Sequence, residues 1–197
     1  MGILNLDIVA LVKVIGYLGI FGIIFAESGV LFGLFLPGDS LLLTSGLLAS
    51  QGLFNIYWLV FVVASAAILG DNTGYWFGSK IGHKIFTKEN SLFFNKKYLE
   101  RTKEYYEKYG PMTVVIGRFI PIVRTFAPIL AGVGEMNYRT FLSYNVIGAF
   151  LWAVGLSLLG FFLGSVIPGI EKYILPIIIF IIFLSILPVL FNLKSKK

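Results

Sequence analysis

Residues 117–132 read GRFIPIVRTFAPILAG, and this stretch restricts the fold more than any other. It is strongly apolar, yet it carries Arg118 and Arg124 and holds Pro121 and Pro128. On insertion scales an Arg at mid-membrane costs roughly 2.5–3.5 kcal/mol, so two in one segment argue against a plain lipid-exposed helix. Each proline removes a backbone donor and crowds the preceding turn. Irregular backbone at membrane depth survives only where protein or a water-filled cavity surrounds it. The stretch is therefore predicted to lie in a broken, re-entrant segment spanning about residues 111–134. Pro121 and Pro128 are its expected breaks, and it is expected to line a polar cavity.

The rest of the composition sets the solvent. The chain has 197 residues, of which 57% are hydrophobic, and a mean hydropathy of +0.88. These values belong to an integral membrane protein of one domain, residues 1–197. There is no cysteine, which excludes disulfides, thiolate metal sites and thiol catalysis. The single His83 cannot build a histidine metal cluster, so neither metal nor cofactor is expected. A phosphatase would want a histidine nucleophile or a metal site, and the chain is read as no enzyme. The first apolar run contains Lys13 and lacks a cleavage-type flank, so no signal peptide is expected. The net charge is +6, but the positives cluster in residues 80–109 and at the C-terminus. No recognition motif accompanies them, which argues against nucleic acid. They read as cytoplasmic segments in contact with anionic lipid.

Along the chain, residues 8–26 form a first apolar run, with Gly16, Gly19 and Gly22 spaced for close helix packing. Residues 27–50 form a second broken, re-entrant segment. It contains Glu27 and then Pro37, Gly38, Asp39 and Ser40 inside apolar sequence. Pro37-Gly38 is a turn signal. Asp39 or Ser40 is placed to cap a helix starting at Leu41, whose N-terminus would attract an anion. Residues 55–79 read as a full span interrupted near its end by Asp71, Asn72 and Thr73. An amphipathic surface helix follows from Leu92, with Phe94, Tyr98, Thr102, Tyr105 and Tyr109 on one stripe. Residues 138–164 and 173–193 are further spans. This arrangement puts every basic cluster on one side, as the positive-inside rule requires. The expected fold is thus all-α and polytopic, with three to four full spans.

There is weak internal symmetry. Residues 74–81, GYWFGSKI, match residues 160–167, GFFLGSVI, and each closes a span that follows a broken segment. In the topology above, the two broken segments enter from opposite faces, which makes an inverted repeat. Glu27, the run FLPGDSLL at 35–42, GRFIPIVRTFAPILAG, Met136, Phe141 and NVIGAFLW at 145–152 together resemble the DedA family, also called the SNARE-associated or VTT-domain family. The resemblance covers about residues 16–164. It implies a bacterial or archaeal inner-membrane protein related to eukaryotic lipid scramblases. Members are implicated in recycling undecaprenyl phosphate or moving phospholipids between leaflets, and others in proton-motive force, alkaline tolerance and drug resistance. The family's acid pair matches Glu27 and Asp39, and its arginine pair matches Arg118 and Arg124.

Isolated charges at depth are costly, so these four are expected to meet in one buried cluster where the broken segments touch. Arg118 and Arg124 would hold a lipid phosphate bidentately, with Ser40 and the helix N-terminus beside them. Glu27 and Asp39 would exchange protons, and Asp71 is a further proton site or else a helix-end residue. Asn145 is expected to hydrogen-bond between helices. The leading reading is a proton-linked flippase for polyprenyl phosphate or phospholipid. Its partners would be a phosphate-bearing lipid, protons and anionic lipid at the basic loop, and a homo-oligomer is compatible with the sequence. The alternatives are a proton-coupled antiporter of small cations or drugs and a static charge network.

Overall fold

The computed structural model describes residues 8–29, 38–85 and 96–167. Every described element is helical, the form that satisfies its own backbone in an apolar solvent. Helix α1 is Ile8–Gly29 and α2 is Gly38–Ser50. Helix α3, Ile56–Ile85, is followed by α4, Lys96–Tyr109. A 3₁₀ turn, Gly110–Met112, leads into the short α5, Thr113–Ile116, and a second 3₁₀ turn, Gly117–Phe119. Then come α6, Pro121–Val133, and α7, Tyr138–Ala149. A π-helical stretch, Phe150–Val154, joins α7 to α8, Gly155–Val166.

Two helical stretches, Ile56–Lys80 and Tyr138–Val166, are long and apolar enough to cross a membrane. Both turn large apolar side chains outward, Phe61 and Leu69 on one and Leu158 and Phe162 on the other. The expected third span, residues 173–193, lies outside the described residues. So do Pro37 and the start of the amphipathic helix at Leu92.

Contact pairs fix the helix directions. Gly38 meets Glu27, while Phe54, just past α2, meets Gly16, so α1 and α2 form an antiparallel pair. Tyr17 bonds Asn55, and Gly29 packs on Gly70, so α3 runs parallel to α1. Helix α2 lies along α8, with Gly46 against Ser157 and Gly164 against Ser50. Helix α6 lies along α3, with Pro128 at Gly74 and Gly132 at Ser79. Each pair is parallel, and the two pairs point in opposite directions. A Cβ at Gly78 would strike the Ile129 carbonyl, and one at Gly160 would strike that of Leu43. These seams need glycine for close approach, as small-residue interfaces in lipid do.

The same contacts correct several sequence expectations. Residues 43 and 46 correspond to 129 and 132, an offset of 86, whereas 78 and 75 correspond to 160 and 157, an offset of 82. The 74–81 to 160–167 match is therefore one helical turn out of register. Glycines four apart, at 74 and 78 and at 160 and 164, permit that slip. A Cβ at Gly19 or Gly22 would meet nothing within 4 Å among the described residues, and Gly29 and Gly70 make the close α1–α3 approach. Asp71, Asn72 and Thr73 do not interrupt α3, because Thr73 Oγ1 donates back to the Gly70 carbonyl at 2.6 Å and Asp71 turns inward. Pro128 does not break α6 but sits inside it. Its missing donor leaves only the Arg124 carbonyl without its helical partner, and its ring packs on Gly74. In α4 the anchoring side chain is Tyr106, off the expected stripe. Its hydroxyl donates to the Ala127 carbonyl at 2.8 Å, and its ring joins Val114, Ala131 and Phe141. Burial and the nearby Asp71 push the Tyr106 hydroxyl pKa up.

Candidate functional site

The site lies where the α1–α2 pair meets the break before α6. Ile120 is extended, at φ −124° and ψ 108°, as residues before proline tend to be. Pro121 then opens α6 at a position where its missing N–H costs nothing. Arg118 stands just before the break and Arg124 one turn after it. Both are buried.

Arg124 takes the outer position. Its Nη2 donates to Glu27 Oε1 and its Nη1 to Asp39 Oδ1 at 3.2 Å. Glu27 ends α1, and its carboxylate lies against the backbone of Gly38 at the start of α2. The helix begins at Gly38, three residues earlier than expected, so neither Asp39 nor Ser40 is its cap and Gly38 is a helical residue rather than a turn. The anion beside that N-terminus is Glu27, whose carboxylate lies against Gly38. Asp39 is thereby free to face Arg124. Ser40 is buried beside it in the same turn.

Arg118 takes the inner position. Its Nη2 donates to Asp71 Oδ2 at 2.6 Å and to Asn145 Oδ1 at 2.5 Å. Asn145 is oriented in turn by its Nδ2, which donates to the Ile68 carbonyl at 3.1 Å. A Cβ at Gly148 would come within 2.8 Å of the Arg118 Cδ, so glycine leaves room for the stem. At 1.5 Å per residue Asp71 lies about 22 Å from Ile56 and about 14 Å from Lys80, well inside an apolar span.

Trp152 joins the two halves. Its Nε1 donates to Asp39 Oδ1 at 2.7 Å. Its ring centroid lies 4.7 Å from the Arg124 guanidinium carbon and 5.8 Å from that of Arg118. The π-helical stretch aims Trp152, Ala153 and Val154 inward while Phe150 and Leu151 face out. Such stretches recur at functional sites.

The structure thus links Glu27, Asp39, Asp71, Arg118, Arg124 and Asn145 in one network, with Asp39 and the two arginines at the Trp152 ring. The expected single cluster of four charges is instead two linked groups with five charges. Asp71 is a full member rather than a helix-end residue. Trp152 closes the NVIGAFLW run, but its role carries no signal in sequence, because an aromatic residue in an apolar span looks like any other. Among the charged members Asp39 alone reaches the outside, with its side chain 56% exposed, whereas those of Glu27 and Asp71 are 1% and 2% exposed. Arg118 Nε and Nη1, Arg124 Nε and Asp71 Oδ1 are buried with no hydrogen-bond partner among the described residues. Among the described residues no group of acids and histidines is arranged to hold a metal ion.

A VTT domain matches residues 36–162. The chain is 44% identical to "Protein DedA" of Escherichia coli (strain K12) over 183 residues, covering 92% of this chain and 83% of that one. An uncharacterized membrane protein of Mycobacterium leprae is 45% identical over 168 residues, covering 85% and 75%. The inner membrane protein YqjA of Escherichia coli (strain K12) is 34% identical over 157 residues, covering 80% and 71%. No solved structure matches the chain.

Proposed function

The chain belongs to the VTT-domain, or DedA, family of membrane proteins, and from that premise we propose that it moves a phosphate-bearing lipid between leaflets. The observation that carries this reading is the spare donor capacity of two buried arginines. Arg118 and Arg124 together hold three N–H-bearing nitrogens with no hydrogen-bond partner among the described residues, Arg118 Nε and Nη1 and Arg124 Nε. Buried donors of this kind are costly unless an acceptor arrives. Guanidinium groups match phosphate oxygens in geometry and charge. Polyprenyl phosphates such as undecaprenyl phosphate, and phospholipids, are the substrates with this chemistry.

In this reading residues 27–50 and 111–134 are re-entrant. They enter from opposite faces as an inverted repeat, with residues 80–109 and the C-terminus in the cytoplasm of a cell whose plasma membrane holds the protein. The three carboxylates outnumber the two arginines, so a fully ionised cluster carries one surplus negative charge. A phosphate at Arg124 would compete with Glu27 and Asp39 and favour uptake of a proton. That surplus also supports a second reading, a proton-coupled antiporter of small cations or drugs. Antiport would use the acids but leave the spare arginine donors without a role.

The test is translocation in proteoliposomes. Labelled undecaprenyl phosphate or phosphatidylethanolamine is reconstituted with the purified protein, with and without a pH gradient, beside Arg124→Ala. Movement that needs Arg124 and responds to the gradient is the expected result. Equal leakage with parent, variant and empty liposomes would turn the reading toward antiport or a static network.

A further inference from the structure

We infer that Trp152 is a substrate-contacting and specificity-determining residue of this site, its indole N–H passing from Asp39 to an oxygen of the incoming phosphate. The inference rests on the phosphate-lipid reading and deepens it.

The geometry makes one oxygen do two jobs. Asp39 Oδ1 accepts from Trp152 Nε1 at 2.7 Å and from Arg124 Nη1 at 3.2 Å. Asp39 is also the member a head group meets first, since its partners are buried and it is 56% exposed. A phosphate that takes Arg124 from Asp39 removes the acceptor from the indole by the same movement. Trp152 is itself buried, and a buried N–H stripped of its acceptor is strongly disfavoured. The arriving phosphate supplies the replacement. A phosphate monoester offers three unesterified oxygens where a carboxylate offers two, enough for the guanidinium fork and the indole together. The ring need not travel, because its face already lies 4.7 Å from the Arg124 guanidinium carbon, on the side of the donor being satisfied. Arg118, 5.8 Å from the same ring, is held by Asp71 and Asn145 and keeps two unpartnered nitrogens. It forms the inner wall that the head group meets next. A carboxylate-bearing lipid, with two oxygens, cannot serve all these donors, which makes Trp152 a selector for phosphate monoesters.

The chain has three tryptophans, and Trp58 and Trp76 are exposed and outside the cluster. Full-length Trp58→Phe/Trp76→Phe protein in nanodiscs therefore reports on Trp152 alone. Dihexanoyl phosphatidic acid and inorganic phosphate are titrated separately, following emission and, in parallel, heat of binding. A saturable emission change tracking the binding isotherm is expected. A response to the lipid probe alone assigns the lipid head group, and a response to both assigns the phosphate moiety. Replacing the indole N–H by sulfur, with benzothienylalanine at 152, keeps ring and shape. It should lower phosphatidic acid affinity about tenfold, one hydrogen bond's worth, and Trp152→Phe should do the same. Binding that leaves the emission unmoved and the thia variant unimpaired overturns the role of Trp152 but keeps the phosphate-lipid reading. Absence of binding to either probe overturns both.

Discussion

The inner pair allows a stability measurement that needs no assumption about substrate. Arg118 Nη2 and Asp71 Oδ2 stand 2.6 Å apart with side chains 1% and 2% exposed, so neither charge has water to fall back on. Breaking a buried pair by removing one partner typically costs about 3–5 kcal/mol, because the other charge stays behind uncompensated. Arg118→Met should reach that range. It strands Asp71 and also takes the donor from Asn145 Oδ1. Asp71→Leu should fall near the lower end, since Arg118 keeps Asn145. The double variant removes both charges. Replacing a buried pair by apolar residues is often close to neutral, which leaves mainly the orphaned Asn145 oxygen at about 1–3 kcal/mol. The double variant should thus be more stable than Arg118→Met alone, with a coupling of about 3–7 kcal/mol, at or above the upper end for residues in contact. Reversible unfolding of the four proteins in mixed micelles measures the cycle. Each single change should shift the unfolding constant by roughly two to four orders of magnitude at about 1.4 kcal/mol per decade. Costs that simply add, or single variants below about 1 kcal/mol, would refute the buried charged contact.

Two further outcomes test the architecture. Gly78→Ala and Gly160→Ala each drive a Cβ into a facing carbonyl, of Ile129 and Leu43 respectively, and should cost about 1–3 kcal/mol by overpacking. Gly19→Ala, whose Cβ meets nothing within 4 Å among the described residues, should be neutral in the same unfolding assay. Tyr106→Phe loses the hydroxyl bond to the Ala127 carbonyl and should cost about 1 kcal/mol. Faster amide exchange confined to α4 and α6 is its expected signature, and an unchanged exchange map would place the anchor of α4 elsewhere.

The charged members of the site were readable in the sequence because charge in an apolar stretch demands an explanation. Glu27, Asp39, Arg118 and Arg124 stand out on that ground alone. Their partners were not readable, because pairing depends on depth and direction, which hydropathy does not report. Asp71 resembled a span end because Asn72 and Thr73 follow it, yet α3 continues to Ile85 and carries Asp71 to the interior. The internal repeat was visible in its glycines but not in its register, since a four-residue glycine spacing matches itself after one turn. Pro121 and Pro128 look alike in sequence. One opens a helix and the other sits within it, and only the packing of Pro128 on Gly74 separates them.

The break at Ile120 explains why two arginines six residues apart can serve one ring. On an unbroken helix six residues turn side chains about 120° away from each other and raise one about 9 Å above the other. Both guanidiniums could not then lie on the face of Trp152. The extended Ile120, imposed by Pro121, resets the direction of the chain between them. Arg118 is left on the 3₁₀ side, directed at α3 and α7, and Arg124 on the α6 side, directed at α1 and α2. The proline is therefore part of the site although it touches no charge. Trp152, placed by a π-helical stretch in the opposing span, is the surface on which the two halves converge. Two departures from regular helix, one in each partner, thus assemble a cluster that neither helix could present alone.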